Sequence, residues 1–445
     1  MDQLFLERMK KDLKDDYEAF IQTLEQERFQ GIRYNPKKVS AKQIEEHVPV
    51  KEHSPFCEEG YYVDEPLGNH PYHLAGAFYI QEPSASSAVT ILDVQPDDIV
   101  LDLCAAPGGK STQIASKLEH GFLVTNEYDF KRAKVLMSNL ERMGIRDYCL
   151  TNSDTRILCE ELHDCFDKVL VDAPCSGEGM MKKHDAACEN WSMDNIRLCA
   201  KRQQEILENA YKALKKEGIM VYSTCTYAKE ENEEVIASFL KEHPDMIQLD
   251  PEVSFGRKGF PCPGMDASKV VRIFPMDKGE GHFICKMKKT EGSVRPLPLV
   301  KNRQCKQSTK EWLSPFLVKS PEYAQIIKDR LYIMDHPFLD LKKTRCLRQG
   351  VYAGDILKNR FEPSHALYLA FLKSNYTHTV ELTREEMNAV MHGEQIHKKA
   401  DKGYISLCYD GLSFGYGKSD GNRITNKIPK GLRLLPNSQV KGELK

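Results

Sequence analysis

The chain reads as an α/β protein built on a doubly wound, mostly parallel sheet. Three observations predict this. From about residue 76 to residue 290, short apolar runs alternate steadily with helical ones, the pattern of successive strand–helix units. Several runs, such as Lys168-Val169-Leu170-Val171 and Gly218-Ile219-Met220-Val221, have the length and composition of buried strands. The residues with the most chemistry stand just after these runs, where the strand ends of an open α/β sheet form a crevice.

The elements follow in order. Residues 1–75 form a leader, with an amphipathic helix over Leu4 to Leu24, a turn-rich basic loop Gly31-Ile32-Arg33-Tyr34-Asn35-Pro36-Lys37-Lys38, and a short helix from Ala41 to His47. The region 76–290 then offers strand Ile99 to Leu103, helix Gly109 to Glu119, strand Phe122 to Thr125 and helix Phe130 to Met143. Strands Tyr148 to Thr151 and Lys168 to Val171 come next, then a long helix from Asp194 to Lys216, strand Ile219 to Val221 and helix Glu231 to Glu242. Two late strands, Val270 to Phe274 and His282 to Lys286, leave little room between them and predict an antiparallel edge. Residues 291–375 read as a Pro-containing linker, 291–310, followed by a mixed and mostly helical region. Residues 376–445 read as a small β-rich module, with apolar runs such as Tyr404-Ile405-Ser406-Leu407-Cys408.

Composition narrows the class. A length of 445 residues allows about two to four domains. Apolar content of 41% and charged content of 29% are those of a globular protein. No apolar run reaches about 18 residues, so no membrane-spanning helix is expected, and the charged N-terminus does not read as a signal peptide. The 14 cysteines are scattered without a Cys-x-x-Cys pair, which argues against zinc and for reduced cytoplasmic thiols. No metal site is expected. The net charge of −2 hides an asymmetry: residues 291–445 carry 26 Lys and Arg against 16 Asp and Glu, and residues 1–290 carry 37 against 49. A basic module beside an acidic one points towards a polyanion such as RNA.

The first strand runs into Asp102-Leu103-Cys104-Ala105-Ala106-Pro107-Gly108-Gly109-Lys110 and opens a helix. Small residues there let backbone approach a ligand, and a helix N-terminus supplies free N–H donors. The three-glycine dinucleotide fingerprint and the Walker spacing are both missing. Glu127 closes the second strand, where an acid accepts ribose hydroxyls. Asp154 follows the third strand and suits an adenine amino group, although alone it reads equally well as a helix cap. Asp172 ends the fourth strand, between this half of the crevice and the next.

Two cysteines follow neighbouring strands, in Asp172-Ala173-Pro174-Cys175-Ser176-Gly177 and in Tyr222-Ser223-Thr224-Cys225-Thr226. Two thiols facing one pocket are what methylation at carbon 5 of a pyrimidine requires. Carbon 5 becomes nucleophilic only after a thiolate adds to carbon 6. A second group then assists loss of the carbon-5 proton and release of the thiol. The residues alone do not decide which cysteine attacks.

These pieces together, with Glu230-Glu231-Asn232-Glu233 after the second cysteine, resemble the RNA 5-methylcytosine methyltransferases of the RsmB/Nop family. Outside the crevice, Arg33-Tyr34-Asn35-Pro36-Lys37, Phe78-Tyr79-Ile80-Gln81-Glu82-Pro83-Ser84, Gly279-Glu280-Gly281-His282-Phe283, Arg360-Phe361-Glu362-Pro363-Ser364-His365-Ala366 and Lys427-Ile428-Pro429-Lys430-Gly431-Leu432-Arg433 resemble its bacterial 16S rRNA methyltransferase F branch. The resemblance implies a class I (Rossmann-like) sheet, S-adenosylmethionine as cofactor and a C-terminal α+β, PUA-like RNA-binding region. By motif match the cofactor would contact Cys104, Ala105, Ala106, Pro107, Gly108, Gly109, Lys110, Glu127, Asp154 and Asp172. Cys225 would be the nucleophile and Cys175 would assist release. Asp172 would orient the cytosine edge, with Lys110 helping to order the base.

The implied partner is RNA, either 16S rRNA or the assembled 30S subunit, met by a monomer. The target base must be unpaired or flipped out. Arg33, Lys37, Lys38, Lys182, Lys183, Lys427, Lys430 and Arg433 are candidates for backbone contacts, with Lys182 and Lys183 best placed by sequence. A tRNA substrate and a non-catalytic RNA-binding assembly factor are the competing readings. A DNA methyltransferase is disfavoured because no target-recognition insert is visible.

Overall fold

Four sheets organise the described part of the chain, a computed structural model that covers residues 2–182, 191–301, 303–358 and 360–440. The first sheet belongs to the leader. Here the expected loop at residues 31–38 begins as a strand: β1 (Gly31–Tyr34) pairs antiparallel with β2 (Gly60–Tyr62) and β3 (Phe78–Ile80). Both partners are remote in sequence, so no local alternation announces them. The single helix expected over Leu4 to Leu24 is two, Gln3–Leu13 and Tyr17–Leu24. Lys14 between them adopts φ +49° and ψ −114°, outside the helical region, and so ends the first α-helix. The helix Ala41–His47 is present, with a Ser40/Gln43 capping box.

The central sheet carries the expected architecture. Its strands are β4 (Ile99–Asp102), β5 (Phe122–Asn126), β6 (Tyr148–Thr151), β7 (Phe166–Asp172), β8 (Leu214–Thr224), β9 (Met246–Gln248), β10 (Val270–Ile273) and β11 (His282–Lys289). Beyond it lie β12 (Tyr323–Ile327), β13 (Arg330–Met334), β14 (Cys346–Gln349), β15 (Val351–Leu357) and β16 (Arg360–Pro363), then β17 (Thr379–Glu381), β18 (Ile396–His397), β19 (Gly403–Tyr409), β20 (Leu412–Ser419) and β21 (Arg423–Asn426). The central order is β10-β11-β8-β7-β4-β5-β6-β14, with β9 beside β11. β8, β7, β4, β5 and β6 are parallel. β11 is antiparallel to both β8 and β10, the antiparallel edge the sequence predicts. From β4 the chain winds outward first through β5 and then through β7, so β4 marks the point where ligand crevices open.

Alternating strand residues feed two cores, as the period of a strand requires. Val100, Leu123, Leu170 and Val221 meet Ile114, Leu136 and Leu140 on one face. Leu101, Val124, Val169, Val171 and Tyr222 meet Leu158, Leu207 and Val235 on the other. The helix Phe130–Met143 has the expected bounds, opened by the Asp129 side chain and closed by Gly144 at φ +72°. The long helix Met193–Ala213 stops before Lys216 because β8 begins at Leu214.

The expectation of a mostly helical region in residues 311–375 is wrong. Among the described residues there, β12 to β16 dominate, and the helices are only Gln307–Leu313, His365–Leu369 and one short turn at Lys373–Asn375. The β12–β13 hairpin turns on Lys328 and Asp329, both at positive φ. That is the backbone of a two-residue primed turn without its usual Asn-Gly or Asp-Gly signature. The C-terminal segment forms the expected β-rich module, in the order β17-β19-β20-β21-β18. Its Leu382, Met387, Ile405, Leu407 and Phe414 share one core with Ile32, Ile44, Val48, Tyr72 and Phe78 of the leader.

One buried ion pair ties the antiparallel edge to the region after Cys225. Arg272 of β10 meets Glu233 through two bonds of 2.7 and 2.5 Å and donates to the Tyr227 carbonyl at 3.0 Å, with the paired side chains 1% and 0% exposed. Glu233→Ala leaves that guanidinium buried and unpaired, a loss of roughly 3–5 kcal/mol. Urea unfolding checks this, and a loss under about 1 kcal/mol would contradict the role given to the pair.

Candidate active site

A cavity of about 1060 Å³ opens at the C-terminal ends of the parallel strands. Cys104 and Ala106 line it after β4, Asn126, Glu127 and Tyr128 at β5, Asp154 after β6, Asp172 to Cys175 after β7, and Cys225 after β8. Arg132, Arg156, Arg202, Glu205 and Asn209 complete much of its wall. Thus Cys104, Glu127, Asp154, Asp172, Cys175 and Cys225, read from separate motifs, share one cavity.

The register of β7 and β8 sets the two thiols. Asp172 stands opposite Ser223, and the Ser223 hydroxyl donates to Asp172 Oδ1 at 2.7 Å. The loops beyond place Cys175 Sγ 3.3 Å from Cys225 Sγ. The hydrogen bond with Cys225, and then burial, raise the Cys175 thiol well above the ordinary cysteine range. Burial, with Asp102 and Glu127 nearby, does the same to Cys104.

Lys110 donates to Asp172 Oδ2 at 2.8 Å. Burial disfavours both charges, but the pair overrides it: Lys110 is held above its ordinary value and Asp172 below. Burial pushes the neighbouring Asp102 up to about 7, although Ser111 donates to it at 2.6 Å. Burial, then the Lys110 charge, lowers His282 to about 3. It is therefore neutral, bonded to the Ser84 hydroxyl at 2.9 Å.

The glycines of the first loop serve the turn more than the cavity. Gly108 has φ +112°, and a Cβ there would meet Leu136 Cδ1 at 2.9 Å. A Cβ on Gly109 would press on Gln81 and Tyr79 at 3.3 Å. Ala105, Pro107, Gly108, Gly109 and Lys110 are not among the lining residues. Asp154 is both a cap, accepting from Arg156 N–H at 2.8 Å, and a lining residue. Glu127 accepts from Asp129 N–H at 2.9 Å and lies 3.5 Å from the Arg132 guanidinium.

Sequence reasoning missed the scaffold behind the thiols. Buried Glu231 accepts from Ser176 N–H at 2.9 Å and Gln203 at 2.8 Å, and closely from the Ser176 hydroxyl. Asn232 accepts from Thr224 Oγ1 at 2.6 Å and donates to the Thr226 carbonyl at 2.9 Å. One dipeptide therefore holds both cysteine loops. Its signal was present: four polar residues, Glu230 to Glu233, stand three residues beyond a cysteine motif and were read only as part of the resemblance, and three of them prove to be buried. Arg202 and Glu205 were also missed. Helical spacing along Met193–Ala213 does not reveal which face meets the crevice.

Several expected RNA contacts prove structural. Arg33 is 2% exposed and donates to the Gly109 carbonyl at 2.9 Å and Thr112 Oγ1 at 2.8 Å. Lys37 donates to the Leu118 carbonyl, and Lys38 to that of Ala75 at 2.7 Å. The Lys182 side chain, 9% exposed, lies 3.7 Å from Glu280. Lys183 lies outside the described residues. Lys427 and Lys430 are exposed, and Arg433 is half-buried with Nε donating to the Ile428 carbonyl at 3.1 Å.

Four family descriptions match the chain in succession: the N-terminal domain of 16S rRNA methyltransferase RsmF over residues 1–83, 16S rRNA methyltransferase RsmB/F over 89–288, the RsmF first C-terminal domain over 309–371, and the RsmF PUA domain over 377–434. The ribosomal RNA small subunit methyltransferase F of Psychromonas ingrahamii is 34% identical, over 97% of this chain and 96% of its own. That of Shewanella piezotolerans is 33% identical over 97% of both chains. A crystal structure of a methyltransferase homologue from Pyrococcus horikoshii aligns with TM-score 0.58 at 29% identity, over 65% of this chain and 95% of that one.

Burial raises the Glu231 carboxyl to about 7. Folded protein therefore holds that proton more tightly than unfolded chain. The resulting stability is complete below the ordinary carboxylate range, near pH 4, and is lost as pH rises towards 7. Glu231→Gln removes this term. Its melting temperature relative to the parent should climb between pH 5 and pH 8, and a pH-independent difference would assign the titration elsewhere.

Proposed function

The chain belongs to the ribosomal RNA small subunit methyltransferase F family, and we propose that it methylates carbon 5 of cytosine in 16S rRNA. S-adenosylmethionine is the cofactor, and bound in the cavity it supplies an electrophilic methyl group. The cavity chemistry fits such a ligand. Glu127 and Asp154 present carboxylates at successive strand ends, for hydroxyls and an exocyclic amine, and Cys104 and Ala106 form a small-residue wall. Ala105, Pro107, Gly108 and Gly109 shape the turn behind it. The observation that carries the reading is the pair of sulfurs 3.3 Å apart on the same cavity as those acids.

Cys225 attacks carbon 6 of the base, and its sulfur becomes covalently bound there while carbon 5 gains electron density. Once carbon 5 is methylated, its proton leaves and the Cys225–carbon 6 bond breaks, restoring the ring and the thiolate. Cys175, kept protonated by its bond to Cys225 and by burial, lies 3.3 Å from that sulfur and relays a proton during that release. Charged Asp172, fixed by Lys110 and Ser223, orients the polar edge of the base, and Lys110 keeps that carboxylate ionised. The Glu231–Asn232 scaffold holds both loops in place before substrate arrives, the economical way to align two reacting groups. Similarity to small-subunit enzymes along nearly the whole length favours ribosomal over transfer RNA. The exposed lysines of the C-terminal module provide sequence-independent backbone contacts.

Cys225→Ala should abolish methylation of small-subunit rRNA, and Cys175→Ala should accumulate an RNA–protein adduct that survives denaturing gels. An adduct in the Cys225 variant and none in the Cys175 variant would reverse the two roles. Bisulfite sequencing of 16S rRNA with and without the active protein identifies the base, and an unchanged cytosine pattern would refute the reaction. Replacing Lys427 and Lys430 by alanine should weaken RNA binding and lower its salt slope by about 2. An unchanged slope would place both outside the interface.

A further inference from the structure

The last strand of the central sheet comes from outside the region that builds the rest of it. β14 pairs antiparallel with β6, with Cys346 opposite Thr151 and Gln349 opposite Cys149. The ladder continues at both ends, Asn152 N–H to the Arg345 carbonyl and Gly350 N–H to that of Tyr148, each at 2.9 Å. Just before β14, the N–H groups of Lys342, Lys343 and Thr344 converge on the Glu161 carboxylate; Lys343 contacts it at 3.1 Å and Thr344 at 2.7 Å. Glu161 ends the helix Thr155–Glu161, which Asp154 opens.

Arg345 adds a side-chain link. Its Nη1 donates to Asn152 Oδ1 at 3.1 Å, and its guanidinium lies 4.7 Å from the Phe130 ring centre. Asn152 in turn donates through Nδ2 to the carbonyls of Glu127 and Tyr128, each at 2.8 Å. A continuous chain of hydrogen bonds thus runs from Arg345 to the strand end that carries Glu127. Arg345 and Asn152 are not among the residues lining the cavity. They act on its wall from behind.

We propose that Lys342 to Gln349 is a built-in brace of the methyl-donor pocket, and that Arg345, acting through Asn152, is a positioning residue for Glu127. This rests on the reading above that the Glu127 wall holds the donor. With its oxygen engaged by Arg345, the Asn152 amide is fixed in the orientation that directs Nδ2 at the two carbonyls. Without Arg345 the same oxygen turns to water and the amide is free to rotate, so the wall loosens while the thiols, on the other side of β4, keep their places.

The test uses the full chain and S-adenosylhomocysteine as the probe, with binding by calorimetry and steady-state kinetics for S-adenosylmethionine and RNA. Arg345→Ala should raise the probe Kd and the KM for S-adenosylmethionine by roughly five- to tenfold, the size of one lost charge-assisted hydrogen bond in a partly wet site. The kcat, the KM for RNA and the melting temperature should stay near those of the parent, and Arg345→Lys should restore most of the affinity. Asn152→Ala should weaken the probe at least as much, and adding Arg345→Ala to it should change nothing further, since the two act in series. Unchanged probe binding in Arg345→Ala, equal losses towards RNA and donor, or additive losses in the double variant would each overturn the brace. Glu127→Ala separates the two levels of inference. If it leaves the probe bound, the wall assignment falls and the brace with it. If it releases the probe while Arg345→Ala does not, only the brace is wrong.

Discussion

The parallel pairing of β7 with β8 is the constraint on which the site depends. With Asp172 opposite Ser223, the strands end level and each releases a short loop carrying a cysteine, which brings the sulfurs within 3.3 Å. A slip of one residue would swing the shifted strand's side chains, Val169 and Val171 of β7 or Met220 and Tyr222 of β8, from one core to the opposite one and present a different side chain to the crevice. The burial that holds the register therefore also holds the chemistry.

Around that register the protein buries several ionisable groups and gives these a partner. Lys110 answers Asp172, Arg272 answers Glu233, and Glu231 is satisfied by Ser176 and Gln203. Such groups are poor sources of net stability. Their value is directional: each has one arrangement that satisfies it, and that arrangement places Cys175, Cys225 and the Asp172 carboxylate before any substrate binds. The cost of aligning them is met during folding, so it does not recur in each catalytic cycle.

The ends of the chain contribute to this order from a distance. The N-terminal helices pack Phe5, Met9 and Phe20 against Tyr227 and Phe274, beside the loop of Cys225. The leader strand sends Arg33 to the helix that opens after the first loop, and the leader core merges with that of the C-terminal sheet. Residues read as a basic RNA-facing loop are instead the contacts that join leader and central sheet. Their charge suits buried carbonyls as well as it suits phosphates, and composition cannot separate the two uses.

Much of the central sheet was legible in the sequence. Strand and helix periods there are local properties, so β6 and the helix Phe130–Met143 appear at their expected bounds. The candidate site residues (Cys225, Cys175, Asp172, Glu127, Asp154) stood at strand ends and were picked out by that position together with the motif resemblance. Tertiary structure decided everything that depends on partners remote in sequence: that Gly31–Tyr34 is a strand, that the described residues of 323–363 are mostly β, that β14 joins the central sheet, that Arg33 is buried and that Lys182 turns to Glu280. The physical reason is the same in each case. A helix satisfies its backbone within a few residues and prints its period on the chain, whereas a strand edge, a buried cation or a hydrogen-bond relay is defined by what the rest of the fold brings against it.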